Sequence, residues 1–223
     1  MKPCAKISSS LQEVLSMEFE VTAVKMKRAG IPKRYWAIQL EDVQDQSILD
    51  QMAFLCHLIG TAPMSPGFGI MMTGEPWSGK TAFSSVLLRV GISRGSEVLY
   101  TRSLELVQDW KNRLDYNPEE TLGEHYRHAD FVVVDDLGLE NGDARALKHL
   151  EYVLRLRYEN DKSTIVISNY GRKELKLMYP ATLFSVLERM SDYYFVLLNR
   201  QWKVKQISVL NHVQREKENG VQS

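Results

Sequence analysis

The stretch Gly74-Glu75-Pro76-Trp77-Ser78-Gly79-Lys80-Thr81 constrains this chain more than any other feature. It fits the pattern G-x-x-x-x-G-K-[ST] in full. Glycines at its two ends let the backbone curl so that successive N–H groups converge on an anion. A helix starting near Lys80 adds its positive N-terminal end. The flanking sequence supplies the required frame. Phe68 to Thr73 reads as a buried strand, and Phe83, Val86, Leu87 and Val90 recur at helical offsets as one apolar face. Lys80 is therefore expected to reach the β- and γ-phosphates of ATP, and the Thr81 hydroxyl to bind Mg²⁺. The expected nucleotide-binding segment is Gly74, Glu75, Pro76, Trp77, Ser78, Gly79, Lys80, Thr81 and Ala82. The alternative, a glycine-rich turn with a chance lysine, leaves that strand-and-helix frame unexplained.

Beyond this loop the sequence alternates apolar runs with helical periods. Glu97 to Thr101, Phe131 to Val134, Thr164 to Ser168 and Tyr194 to Leu198 read as strands. Leu104, Val107, Trp110 and Leu114 mark one helix, Leu147, Leu150 and Leu154 another, and Thr182 to Ser191 a third. Strands apolar on both faces, each followed by a helix, predict an α/β fold with a parallel sheet covered on both sides. Ahead of it, weak helical periods run from Leu11 to Ala29 and from Ser47 to Ile59. Gly30-Ile31-Pro32 separates them, since proline cannot continue a helix.

Two strand ends carry polar groups. Phe131-Val132-Val133-Val134 runs into Asp135 and Asp136, at the edge where parallel sheets gather ligands. Asp135 is the expected second Mg²⁺ ligand, acting through water, and Asp136 the group that orients or deprotonates an attacking water. The alternative is a pair of aspartates that ends a strand before Leu137-Gly138. Asn169 closes the next strand, where a neutral amide can bond a γ-phosphate without adding charge. A turn-forming asparagine before Tyr170-Gly171 is the competing reading.

Composition sets the limits. The 28 lysines and arginines balance the 28 aspartates and glutamates, so only a local patch could draw nucleic acid. Cys4 and Cys56 stand far apart with no metal-ligand spacing, which fits a reducing compartment. The polar start after Met1-Lys2-Pro3-Cys4 lacks a signal core, and no apolar run nears the ~20 residues of a bilayer span. A cytoplasmic protein with no membrane contact is expected.

The phosphate loop, the Asp135-Asp136 pair and Asn169 together resemble the Walker A, Walker B and sensor 1 elements of AAA+ ATPases. More narrowly, Ala29-Gly30-Ile31-Pro32-Lys33-Arg34-Tyr35 and Leu187-Glu188-Arg189-Met190 resemble the DnaC/IstB branch, the bacterial helicase loaders and transposition helper ATPases. The resemblance implies a three-layer P-loop NTPase sandwich with a central parallel sheet in the AAA+ strand order, preceded by short N-terminal helices. It implies ATP held between subunits of a ring or spiral. The chain then divides into an extension at 1–29 with a candidate partner-binding helix (Leu11, Val14, Leu15), packing on its own domain being the alternative, an AAA+ ATPase core at 30–210, and a tail at 211–223 whose polar sequence without a period reads as flexible.

By the same resemblance, Arg189 matches a late-helix arginine that reaches the γ-phosphate of the adjacent subunit; an ordinary surface arginine is the alternative. Ile31, Pro32 and Tyr35 match a segment that lies along the adenine, with plain packing as the alternative. Tyr100, Arg102, Lys111 and Arg113 fall in a region that faces the oligomer's channel, where an aromatic beside cations suits single-stranded DNA; a solvated face, its charge diluted by Asp109 and Asp115, is the alternative. Three departures stand out. Trp77 replaces a glycine common among relatives and must point away from the phosphates. The acidic pair is Asp-Asp, one methylene short of Asp-Glu, which slows hydrolysis if the base is misplaced. No clear sensor 2 arginine is present, Arg200 being the nearest candidate.

The implied function is a weak ATPase, stimulated by oligomerisation or DNA, that loads a replicative helicase on single-stranded DNA. Catalysis would fall to Lys80, Asp135, Asp136, Asn169 and Arg189, with Thr81 and Asp135 as the metal ligands. An IstB-like helper acting with a transposase, and a nucleotide-switched adaptor with little turnover, are the alternatives. A small-molecule kinase is disfavoured, for want of an arginine-rich lid stretch.

Overall fold

The computed structural model describes residues 21–38, 46–61, 67–113, 125–140 and 144–197 of the 223-residue chain. Five strands, β1 (Gly69–Gly74), β2 (Val98–Arg102), β3 (Phe131–Leu137), β4 (Ser163–Ser168) and β5 (Tyr193–Leu197), form one sheet in the order β2-β3-β4-β1-β5. Every pairing is parallel. Helices α1 (Ala23–Arg28) and α2 (Gln46–Thr61) precede the sheet, with a 3₁₀ turn at Lys33–Tyr35 between them. Then come α3 (Lys80–Ser93), α4 (Ser103–Arg113), α5 (Ala144–Glu159), α6 (Arg172–Met178) and α7 (Ala181–Met190). This is the expected α/β three-layer arrangement.

The strands bury both faces because a side chain of period two meets helices either way. On one face Ile70, Met72, Phe131, Val133, Ile165 and Ile167 pack with α2 and α3. On the other Met71, Val132, Val134 and Val166 pack with α4, α5 and α7. Each buried Ile, Val, Leu or Phe side chain contributes roughly 1.5–3 kcal/mol of transfer free energy.

Several sequence expectations shift. β3 runs three residues beyond Val134, so Asp135 and Asp136 lie inside the strand rather than after it. Helix α6 is absent from the sequence expectation, because Leu175 is its sole buried residue and leaves no apolar period to read. Within the described residues the predicted Leu11–Ala29 helix spans only Ala23–Arg28. Thr22 is extended and caps it, its hydroxyl accepting from the Lys25 N–H. Leu11, Val14, Leu15, Cys4, Leu114, Arg200 and the 211–223 tail lie outside the described residues.

The segment after α1 is fixed to the sheet edge. The Tyr100 N–H donates to the Ala29 carbonyl at 2.7 Å. Gly30 has φ +75° and passes so close that a Cβ would sit 2.6 Å from the Tyr100 carbonyl oxygen, which leaves glycine as the fit. The Trp36 indole N–H donates to the Ile31 carbonyl at 2.7 Å, and buried Arg89 donates to the carbonyls of Trp36 and Ile38.

Candidate nucleotide site

Strand β1 delivers the loop Gly74–Gly79, and α3 begins at Lys80 with Gly79 as its cap. Gly79 is left-handed at φ 97°, a conformation that costs glycine little and aims the following N–H groups back into the loop. Lys80 is buried. Its ammonium donates to the Gly74 carbonyl at 2.9 Å, the Glu75 carbonyl at 2.7 Å and the Ser78 hydroxyl at 3.2 Å. Burial pushes this ammonium below the ordinary lysine value, against the upward pull of Asp135 and Asp136. A cation held in a curl of backbone suits a polyphosphate, which would trade those neutral acceptors for charged ones.

Asp135 is the hub of the site. Its Oδ2 accepts from the Thr81 hydroxyl at 2.7 Å and from the Tyr100 phenol at 2.7 Å, while its Oδ1 accepts from the Asp136 N–H at 2.7 Å. The Thr81–Asp135 bond reaches over the end of β4, since β4 lies between β1 and β3. Asn169 follows Ser168, the last residue of β4, whose neighbours are Thr73 on β1 and Leu137 on β3. The fold thus brings Lys80, Thr81, Asp135, Asp136 and Asn169 to one sheet edge. A hydroxyl and a carboxylate in contact are hard oxygen donors of the kind Mg²⁺ takes.

Asp136 sits at φ 58° beside Arg102, with Nε to Oδ2 at 3.7 Å, and its carbonyl accepts from the Ser103 hydroxyl at 2.8 Å. Burial first, and the Asp135 charge second, raise its carboxyl above the ordinary aspartate value; Arg102 and Lys80 oppose them.

Trp77 also holds a positive φ, 67°, and its side chain is 73% exposed, so the indole stands outside the phosphate curl. The Arg34 guanidinium lies 6.0 Å from the Trp77 ring centroid and 5.3 Å from that of Tyr35. The Ile31–Tyr35 segment therefore abuts the loop.

One expectation changes. Tyr100 is 7% exposed with its hydroxyl committed to Asp135, so it offers no face for stacking on DNA. Tyr100 is packed in the core, whereas Arg102, at the last position of β2, stays exposed. Of Lys111 and Arg113 only the backbone, in α4, is described. Arg189 does not join its own phosphate loop. It lies in the last turn of α7 and lines a pocket of about 210 Å³ with Gly67, Phe68, Gly69, Lys162 and Asp192, at the end of the sheet where β1 begins. Its neighbour Glu188 instead pairs with Arg172.

Sequence reasoning missed Glu140. It is buried, accepts from the Gly138 N–H at 3.0 Å and from the Tyr179 phenol, and ties the loop after β3 to the end of α6. A lone glutamate after a turn gives no signal.

A parallel sheet in this order, with a phosphate loop after an interior strand and an acidic strand end across from it, defines a P-loop NTPase of the AAA+ kind. Residues 26–179 match the model of the IstB-like ATP binding proteins, and the chain belongs to that family. Its fold is similar to that of the DnaC helicase loader, with TM-score 0.65 and 21% identity over 75% of this chain and 99% of that one. It is similar also to DnaI, with TM-score 0.65 and 17% identity over 74% of this chain and 94% of that one. A structure of the replication initiator DnaA bound to AMPPCP and single-stranded DNA gives TM-score 0.64 and 16% identity, over 83% of this chain and 56% of that one. At these identities the likeness is one of fold. No curated protein sequence matches the chain. Among the described residues no helix is long and apolar enough to cross a membrane.

Proposed function

We propose that this protein binds and hydrolyses ATP while acting on single-stranded DNA, and that its task is to load a replicative helicase. The observation that carries the reading is the Thr81–Asp135 contact beside the Lys80 ammonium. Lys80 holds the β- and γ-phosphates. Thr81 and Asp135 would hold Mg²⁺, which when bound neutralises charge on those phosphates. Asp136 orients a water and takes its proton as the oxygen attacks the γ-phosphorus and ADP departs. Asn169 hydrogen-bonds the γ-phosphate or that water. The finger Arg189 acts on the ATP of a neighbouring copy, in keeping with its position at the opposite sheet end. The domain limits 30–210 for the ATPase core, with the flanking 1–29 and 211–223, belong to the same proposal.

The DNA and helicase parts rest on the fold likeness to a helicase loader and to an initiator described with single-stranded DNA. The test compares wild type with Lys80→Ala for ATP affinity, turnover, and assembly seen by light scattering with ATP and oligonucleotide. Loss of all three in Lys80→Ala is expected. A variant that binds and turns over ATP like wild type sinks the reading.

A second reading, a nucleotide-switched adaptor with negligible turnover, draws on the Arg102 contact that occupies Asp136. Under it Asp136→Asn keeps function while Lys80→Ala loses it. Whether a helicase or a transposase co-purifies separates the loader from an IstB-like helper.

A further inference from the structure

Between Val21 and Ile38 the sequence holds five cations, Lys25, Lys27, Arg28, Lys33 and Arg34, and no acid, in a chain whose charges balance overall. All five are exposed, and none makes an ion pair among the described residues. Met26 of α1 and its C-cap Ala29 are buried, while Lys25, Lys27 and Arg28 are exposed. A helix C-terminus carries about half a negative charge, so capping alone does not call for three cations there. Only four residues, 29–32, separate this cluster from Lys33 and Arg34, and the Ile31 N–H donates back to the Met26 carbonyl at 3.1 Å. The run is thus folded into one compact block, held to the sheet by the Ala29, Gly30 and Arg89 contacts described above.

The patch also has an aromatic side. Arg34 lies near the rings of both Tyr35 and Trp77, and Trp77 keeps a conformation that non-glycine residues seldom adopt, with its ring in solvent. Cations without acids beside an exposed indole form the combination that binds a single strand, phosphates on the cations and a base on the ring. An acidic protein would use the cations and ignore the indole face.

We infer that the Lys25–Arg34 block and Trp77 form a surface for single-stranded nucleic acid, separate from the Arg102 region. This rests on the proposed action on single-stranded DNA and names a contact surface for it. Because Trp77 belongs to the phosphate loop, a strand on this surface would also touch the mouth of the nucleotide site.

The test uses the full chain and fluorescein-labelled oligo(dT) of about 30 nucleotides, long enough to cover several stacking sites. Anisotropy is followed over a range of salt, without nucleotide. Replacing Lys25, Lys27 and Arg28 together by Gln should reduce the slope of log affinity against log salt by about 2, at ~0.7 for each phosphate that is no longer neutralised. Arginine at the three positions should restore it. ATP affinity of the Gln variant should match wild type, which shows that it is folded. Oligo(dT) should quench tryptophan emission in wild type, and most of the quenching should vanish in Trp77→Phe.

An unchanged slope in the Gln variant overturns the inference. So does competition by polyglutamate equal to that of DNA of the same charge with no tryptophan response, which points to an acidic protein instead. If Arg102→Ala abolishes binding while the Gln variant keeps it, the action on DNA stands and this surface falls. If wild type binds no oligonucleotide at all, both fall, and ATP binding is untouched.

Discussion

The Tyr100 phenol and the Thr81 hydroxyl donate to the same oxygen of Asp135, each at 2.7 Å. One donor comes from the edge strand β2 and the other from the helix after the phosphate loop, so the carboxylate is held from both sides. Burial and the nearby Asp135 charge both raise the phenol above the ordinary tyrosine value, so it remains a proton donor throughout the working range. Tyr100→Phe removes one hydrogen bond to a buried charged group, worth about 1.5–3 kcal/mol. Urea denaturation should show a loss of that size. A loss under a few tenths would mean that water replaces the phenol at no cost.

Asp136 offers a stability–activity contrast. Its carboxyl is raised by burial and by Asp135, so folding favours the protonated form. The stability this contributes is present below the unfolded aspartate pKa and is lost as pH rises through the raised folded value. At neutral pH the ionised group is therefore a net cost. Asp136→Asn should leave the protein equal or slightly more stable near neutrality, by less than ~1 kcal/mol because the group is partly solvated. Turnover should fall roughly 10²–10⁴-fold, the usual worth of a general base. Thermal melts at two pH values together with a phosphate-release assay check both halves.

Arg102 is, with Lys80, one of two cations that oppose the rise of the Asp136 carboxyl. Arg102→Ala should move the acidic limb of the pH–rate profile upward by less than about one pH unit, since exposed pairs are worth ~1 kcal/mol at most. Arg102→Lys should return it part way. A limb that stays fixed in both variants would show that Asp136 is not the group being titrated.

Arg157 shows what a sequence leaves hidden. It stands in an otherwise readable helix, yet it is fully buried. It donates to the carbonyls of Tyr126, Ala129 and Ser163 and to the Thr164 hydroxyl, tying α5 to the segments that enter β3 and β4. Arg157→Leu leaves those neutral acceptors dry and unpaired, and should cost about 1–3 kcal/mol for each that stays so, several together, in chemical denaturation. A loss near 1 kcal/mol would show that water fills the gap.

The same contrast holds across the molecule. The phosphate loop, the acidic strand end and Asn169 are legible because local spacing encodes them: backbone curvature needs Gly79, and a buried strand needs Val132 to Val134. The strand order is legible only through resemblance, since nothing in the spacing dictates that β4 inserts between β1 and β3. Tyr100 misleads a reader of the sequence because the side to which a β2 residue points depends on register against β3. Arg157 and Glu140 are invisible because their partners are carbonyls and a phenol distant in sequence. The basic block at 25–34, by contrast, lies open in the sequence, masked by a net charge of zero.

The position of Arg189 permits a test that needs no structure of the assembly. β1 runs six residues from Gly69, which lines the Arg189 pocket, to Gly74, a span of roughly 17 Å along the strand, beyond the reach of one side chain. Arg189→Ala should therefore keep ATP affinity within about twofold while turnover falls ~10³-fold, the scale of an arginine finger. Asp136→Asn keeps its finger but lacks its base. When the two inactive variants are mixed, subunits with an intact Asp136 can meet neighbours with an intact Arg189. About a quarter of the junctions would then be whole if mixing is random and the interface heterologous. Turnover in the mixture should rise well above that of either variant alone. If it stays at the level of the separate variants while light scattering shows mixed assemblies, Arg189 does not act across a subunit junction.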